Sequence, residues 1–117
     1  MTNAKRRSAK ARGVPDIDLL CKAIADPTRR EILDLLADAP RTTGDIADHF
    51  PTTRFAIMKH LGVLERAGLV VVTRDGRERW NSLNAVPLQQ MVERWVTPLA
   101  ARGAGSLLAL KRHLEKE

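Results

Sequence analysis

Residues 42–83 read TTGDIADHFPTTRFAIMKHLGVLERAGLVVVTRDGRERWNSL, and this stretch decides the fold. Residues 42–50 have the pattern of a short helix, and Pro51-Thr52 breaks it. Residues 53–67 predict a second, longer helix that begins behind a capping threonine. Two helices a tight turn apart form a helix-turn-helix, whose second helix enters the major groove of DNA. The stretch therefore predicts a protein that reads DNA.

A basic hairpin follows these two helices. Residues 70–74 are rich in β-branched side chains, Asp75-Gly76 is a strong hairpin signal, and residues 77–83 return as a second strand. Three arginines surround the predicted tip: Arg74, Arg77 and Arg79. They could simply be a solubilising edge that resists strand pairing. The neighbouring helix-turn-helix favours the other interpretation, a wing that lies along the DNA backbone or minor groove.

The helical period divides the second helix into two faces. Ile57, Leu61 and Leu64 cluster on the side that should face the core. The outward side and the helix start supply the candidate DNA contacts: Thr52, Thr53, Arg54, Phe55, Met58 and Lys59. Gly62 also lies on the outward side, where its missing side chain would let a backbone or base edge approach.

The candidate contacts have different chemistry. Arg54 and Lys59 can reach phosphates or the acceptors of guanine, whereas Phe55 and Met58 could meet thymine methyl groups. The alternative for Phe55 is that it folds back into the core. A charged outward face is also normal for any surface helix, but exposed Phe and Met side chains are costly without a purpose.

The remainder of the chain is predicted to be helical. A first helix should span residues 16–25, and a second should run from Pro27 to about residue 38 behind an Asp26 cap. From residue 84 onward, apolar residues recur at spacings of three and four; Pro98 should kink or split this helix, and Ser106 could cap a last one. The predicted fold is mainly α, a winged helix-turn-helix with about five to six helices and a two-stranded wing.

Charge is unevenly distributed along the 117 residues, whose net charge is +6. Residues 1–13 hold five basic residues and no acidic one, and predict a disordered basic tail ahead of one domain at 14–117. Residues 14–51 are net acidic, whereas residues 52–79 hold six basic and three acidic residues. A segregated basic surface is typical of proteins that bind polyanions. Aromatic residues make up only 3%, so the core should be aliphatic.

Three phrases of this sequence resemble one known family. They are AIADPTRREIL at 23–33, TRFAIMKHLGVLERAGLV at 53–70, and RDGR at 74–77. In this order they resemble the ArsR/SmtB family of small bacterial winged-helix repressors, over roughly residues 16–97. The resemblance implies a homodimer built from the first and last helices, which binds double-stranded DNA at an inverted repeat near a promoter.

Metal sensing, common in that family, is not expected here. The family's usual site needs a Cys-x-Cys pair in the first helix of the helix-turn-helix, where this chain has none. Cys21, His49, His60 and His113 are scattered singly, while zinc needs three or four ligands at fixed geometry. His60 lies beside the core face and should be a packed, hydrogen-bonded residue. We expect no metal and no cofactor, as in the non-metal branch of the family.

Other functions have weaker support. No phosphate-binding loop, nucleophile motif or catalytic carboxylate pair stands out, so we do not expect an enzyme. A metal- or redox-responsive repressor acting through Cys21, or a winged helix that binds only proteins, stays open. A lone cysteine on an apolar helix face is usually buried and inert. No secretion signal or membrane-spanning run is apparent, which favours the cytoplasm and no membrane partner. The sequence leaves open the target gene and any effector.

Overall fold

The computed structural model describes residues 16–116, so the predicted basic tail at 1–13 lies outside the described residues. The elements, in chain order, are α1 (Ile17–Ile24), α2 (Pro27–Asp38), β1 (Arg41–Thr42), α3 (Thr43–Asp48), α4 (Arg54–Arg66), β2 (Val70–Asp75), β3 (Glu78–Leu83), α5 (Val86–Met91), a π-helical turn (Val92–Val96) and α6 (Thr97–Glu115). The described part of the chain therefore has six α-helices and one small sheet. The predicted mainly α fold with a wing is confirmed.

Short polar side chains fix the starts of the first four helices. Asp16, Asp26, Thr42 and Thr53 each accept a hydrogen bond from the backbone N–H three residues further on. Each such cap satisfies a donor that the helix leaves unpaired and stabilises it by about 0.5–2 kcal/mol. The helix starts predicted from the sequence at Asp26 and at the threonine before α4 agree with these caps.

Helix α4 ends in a tight, glycine-dependent motif that was not predicted from the sequence. The Leu69 N–H donates to the Leu64 carbonyl at 3.0 Å, and the Gly68 N–H donates to the Glu65 carbonyl at 2.9 Å. Gly68 has φ +79°, the left-handed conformation that this Schellman motif requires. The motif turns the chain from α4 directly into β2 and so positions the wing.

The sheet is antiparallel with strand order β1-β3-β2. The predicted hairpin is present, but its tip is shifted by one residue. Asp75 pairs with Glu78, so the two loop residues are Gly76 and Arg77 rather than Asp75 and Gly76. Gly76 has φ +63° and Arg77 has a negative φ, the pattern of a type II′ turn. The short third strand, β1, was not predicted.

The core is aliphatic, as predicted. None of its buried members is aromatic, and they come from α1 to α4 and from the start of the wing: Leu20, Ala23, Ile32, Leu36, Ile46, Ile57, Leu61, Leu64, Leu69 and Val70. The predicted inner face of α4 is confirmed, because Ile57, Leu61 and Leu64 are all buried. Helix α1 contacts α2, α4 and α5, and thereby closes the core from behind. The opposite face of α4 stays free.

The C-terminal helical region departs from the prediction. Pro98 lies in the first turn of α6, directly after the π-helical turn, in which the Thr97 N–H donates to the Val92 carbonyl. The i→i+5 hydrogen bonds of this turn accommodate one extra residue in the helix just before Pro98, which has no N–H to donate. The interruption therefore takes the form of a π-helical turn. The predicted new helix start at Ser106 is wrong, since α6 continues through it.

Candidate nucleic-acid interface

The turn between α3 and α4 exposes two threonines at the start of the predicted recognition helix. Thr52 and Thr53 are both exposed. The Thr53 hydroxyl oxygen accepts the Ala56 N–H at 3.1 Å, so its first task is to cap α4. The Thr52 side chain lies one residue earlier on the same exposed turn. Both are at the end of α4 that a helix-turn-helix directs toward base edges.

Phe55 points outward, so the alternative that it folds back into the core is wrong. Its exposed fraction is 66%, and that of Met58, one turn further along, is 45%. The Lys59 ammonium lies 4.7 Å from the centre of the Phe55 ring. This distance is within the range of a cation–π interaction. The structure therefore brings an apolar and a cationic group together on the free face of α4.

Arg54 is separated from that pair. Its guanidinium lies 3.6 Å from the position that a Cβ atom on Gly44 would occupy. Gly44 is the second residue of α3, so Arg54 extends across the turn toward the first helix of the motif. A guanidinium at this place is well suited to the phosphate backbone, which the first helix of a helix-turn-helix crosses.

A shallow groove continues along the outward face of α4. It has a volume of about 470 Å³ and is lined by Met58, Lys59, Gly62, Val63 and Arg66. Only the flexible guanidinium of Arg66 approaches the space in front of Gly62, at 3.4 Å from a Cβ built there. The glycine therefore leaves the helix backbone accessible from outside, as predicted from the sequence.

The three wing arginines have different surroundings. Arg74 and Arg77 are exposed, whereas Arg79 is partly covered. Arg79 stands opposite Arg74 in the sheet, and its Nη2 atom pairs with Glu65 Oε2 of α4 at 3.2 Å. An exposed pair of this kind contributes about 0–1 kcal/mol. Arg79 thus connects the wing to α4, a contact that the sequence pattern did not indicate.

The residue that ties the wing to the helix-turn-helix was missed. Asn81 of β3 is fully buried, and its Nδ2 donates to the Arg41 carbonyl at 3.2 Å and to Thr43 Oγ1 at 3.1 Å. These bonds join β3 to β1 and to the start of α3. An asparagine inside a strand is unusual, and that was the available signal. Its Oδ1 has no protein partner, so the buried amide serves as a donor.

The back of α4 is held by a polar cluster around His60. Arg29 Nη1 lies 3.2 Å from His60 Nδ1, and the Arg29 Nε donates to the Ala23 carbonyl at 2.7 Å. The Asp26 carboxylate is 3.9 Å from the same His60 nitrogen. The pKa of Asp26 is lowered, chiefly because its carboxylate accepts the Arg29 backbone N–H; desolvation opposes this shift, and the nearby His60 and Arg29 side chains add smaller lowering effects. The prediction that His60 is packed and hydrogen-bonded is confirmed.

In the described part of the chain, the candidate metal ligands and the candidate redox cysteine do not form a site. Within residues 16–116, no three His, Cys, Asp or Glu side chains are close enough together to hold a metal ion. Cys21 is exposed, in contrast to the usual burial of a cysteine on an apolar helix face. In the same part of the chain, no helix combines the length and the apolar character needed to cross a membrane.

Comparison with known proteins agrees with this geometry. The fold and the basic free face of α4 define a winged helix-turn-helix protein, and a family model described as a helix-turn-helix domain matches residues 24–73. The chain is 41% identical over 86 residues to the transcriptional repressor SdpR of Bacillus subtilis, covering 74% of this chain and 94% of that protein. It belongs to the ArsR family of transcriptional regulators. The predicted family resemblance is confirmed.

Solved structures of this family share the fold. An ArsR-like transcriptional regulator from Rhodococcus sp. RHA1 superimposes with a TM-score of 0.75 at 31% identity, covering 86% of this chain and 92% of its own. A homodimeric winged helix-turn-helix DNA-binding domain from Mycobacterium bovis gives 0.58 at 26% identity, covering 70% and 78%. The family consists of transcriptional regulators and not of enzymes, which confirms that prediction.

Proposed function

We propose that this protein is a cytoplasmic repressor that binds an inverted-repeat operator as a homodimer. In this proposal α4 enters the major groove and the wing, residues 74–79, contacts the backbone or minor groove. The observation that carries the proposal is the free face of α4, where the exposed Phe55 ring and the Lys59 ammonium lie side by side next to a basic wing. A repressor rather than an activator is proposed because the similar SdpR protein is named as a repressor.

The proposed DNA contacts fall into two groups. Phe55, Met58 and Lys59 would meet base edges, since they lie on the free face of α4 near its N-terminal end. The other group would neutralise or hydrogen-bond phosphates: Thr52, Thr53, Arg54, Arg74, Arg77 and Arg79. Arg79 would do so while it stays near Glu65, so its contribution should be smaller than that of the exposed Arg77.

The C-terminal helical region supports the proposed homodimer. Apolar side chains recur there at spacings of three and four, with one gap of eight across Gly103, and are all exposed in one chain: Val92, Val96, Leu99, Leu107, Leu110 and Leu114. Such a stripe is the seam that a second helix covers. A two-fold protein also matches a two-fold operator, and the Mycobacterium bovis relative is described as homodimeric.

Selection from a random DNA pool, followed by affinity titration and sedimentation, tests the proposal. We expect an enriched inverted repeat with half-sites about one helical turn apart, and a dimer at tens of micromolar, roughly the range for a stable interface. Leu110→Glu should yield monomers that lose this affinity, whereas Lys111→Glu should stay dimeric. A pool with no enriched sequence would favour a winged helix that binds only proteins, and a wild-type monomer would rule out the dimer.

A further inference from the structure

The free face of α4 carries an apolar patch, Phe55 and Met58, that no other helix or strand of the described chain covers. These two side chains are the large apolar residues of α4 that are most open to water. All other large aliphatic side chains of this helix are buried or half-buried. Exposure of this kind on one side of a helix indicates a contact surface.

The surroundings of the patch are positively charged. The Lys59 ammonium covers one side of the Phe55 ring at 4.7 Å, and Arg54 and Arg66 stand at the two ends of α4. The one acidic side chain of α4, Glu65, is engaged by Arg79. The charge complementarity therefore selects a polyanion as the partner, and the patch requires that this polyanion present an apolar group.

The major groove of DNA offers one prominent apolar group, the C5 methyl of thymine. We infer that Phe55 and Met58 determine operator specificity by contacting thymine methyl groups in each half-site. This inference rests on the proposed function, because it requires α4 in the major groove. Recognition of thymine methyl groups is a role that the neighbouring cations cannot fill, since an ammonium or guanidinium group binds hydrogen-bond acceptors of bases and phosphates.

Deoxyuridine substitution tests the inference, because it removes only the methyl group of thymine. The probe is the duplex that the full-length protein enriches from a random pool, with each thymine of a half-site replaced in turn. Loss of one buried methyl contact should weaken binding about fourfold. The Phe55→Ala and Met58→Ala variants should each bind two duplexes with equal affinity: one with thymine and one with uracil at the position that the removed side chain contacts. Both side chains are exposed, so the variants should fold normally.

Arg77→Ala is the matched control. It removes a charge at the wing tip, so it should weaken binding to both duplexes and leave the thymine-to-uracil ratio unchanged. The inference fails if wild type tolerates uracil at every position, or if both alanine variants keep the thymine-to-uracil affinity ratio of wild type. In either case, specific binding of the enriched duplex by wild type would still uphold the proposed function. Dissociation of the Phe55→Ala dimer would assign the patch to a protein contact instead. A pool with no enriched sequence would overturn both the inference and the proposed function.

Discussion

Replacing Gly62 by alanine should stabilise the fold and weaken DNA binding, two effects of opposite sign. Gly62 is the ninth of 13 residues in α4, where glycine costs about 0.8–1.0 kcal/mol relative to alanine. The added Cβ would meet only Arg66 Nη1, at 3.4 Å, and this flexible group can move aside. We therefore expect the free energy of unfolding to rise by about 0.8 kcal/mol, and the melting temperature by roughly 4 °C.

The same methyl group would lie in the shallow groove along the outward face of α4, the face that we propose enters the major groove of DNA. If backbone and base edge approach closely there, an extra carbon forces them apart at about 1–3 kcal/mol, the usual cost of overpacking. Operator affinity should then fall roughly 5-fold to 150-fold. Denaturant titration measures the first effect, and fluorescence anisotropy on an operator duplex measures the second.

Gly105→Ala provides the comparison for this prediction. Gly105 also lies inside a helix, α6, on the side away from the apolar stripe of that helix, and a Cβ built there meets nothing within 4 Å. It should give a similar gain in stability with no change in operator affinity. Unchanged affinity in Gly62→Ala would refute the close approach at this position, and lower stability would refute the helical account of the glycine.

Four further predictions concern other parts of the molecule. Lys59→Ala should weaken operator binding by about 1–3 kcal/mol where the side chain makes a bidentate base contact, and Arg54→Ala should weaken binding to operator and random DNA alike through a lost phosphate contact, both with an unchanged circular dichroism spectrum; two variants of wild-type affinity would contradict the assigned face. Asp26→Ala should lower the free energy of unfolding by about 0.5–2 kcal/mol near neutral pH. Because the pKa of folded Asp26 is lowered, the stabilisation is complete above its unfolded pKa, near 3.9, and the difference between wild type and variant should shrink as the pH falls through the lower, folded value. Purified protein should contain no stoichiometric zinc, and chelators should leave DNA binding unchanged; one tightly bound metal per subunit by elemental analysis would contradict this. Deleting residues 1–13 should weaken binding to operator and random DNA alike and reduce the salt slope by about 0.9 per lost phosphate contact; identical slopes would mean that the tail makes none.

Local signals in the sequence were sufficient for the first four helices and for the presence of the wing. Asp26 before Pro27, and Thr53 before an amphipathic run, mark helix starts through hydrogen bonds that span only three residues. The alternation of buried and exposed positions in α4 follows from its period alone. For the same reason, the sequence correctly assigned the inner face and identified Phe55, Met58 and Lys59 as outward residues.

Contacts between residues distant in sequence could not be predicted in this way. Asn81 hydrogen-bonds to groups 38 and 40 positions away, and Arg79 pairs with Glu65 across 14 positions. The hairpin tip was misplaced because Asp75-Gly76 fits a type I′ turn, while cross-strand pairing selected Gly76 as the first loop residue. A new helix start was predicted at Ser106 because Gly103 and Gly105 disfavour a helix. The free-energy cost of two glycines is small compared with the stability of a 19-residue helix, so α6 continues through them.

The links between the wing and α4 differ in strength from base to tip. At the base, the buried Leu69 and the fully buried Asn81 amide fix the strands to the core, where breaking a contact is costly. Further out, the link is the exposed pair of Arg79 with Glu65, which contributes little. Beyond it, Arg77 at the turn is open to solvent. Since the anchoring weakens in this order, the wing should keep its direction relative to α4 while its tip adjusts to the phosphates. Sequence selectivity should therefore reside in α4, and the wing should contribute affinity that depends on salt.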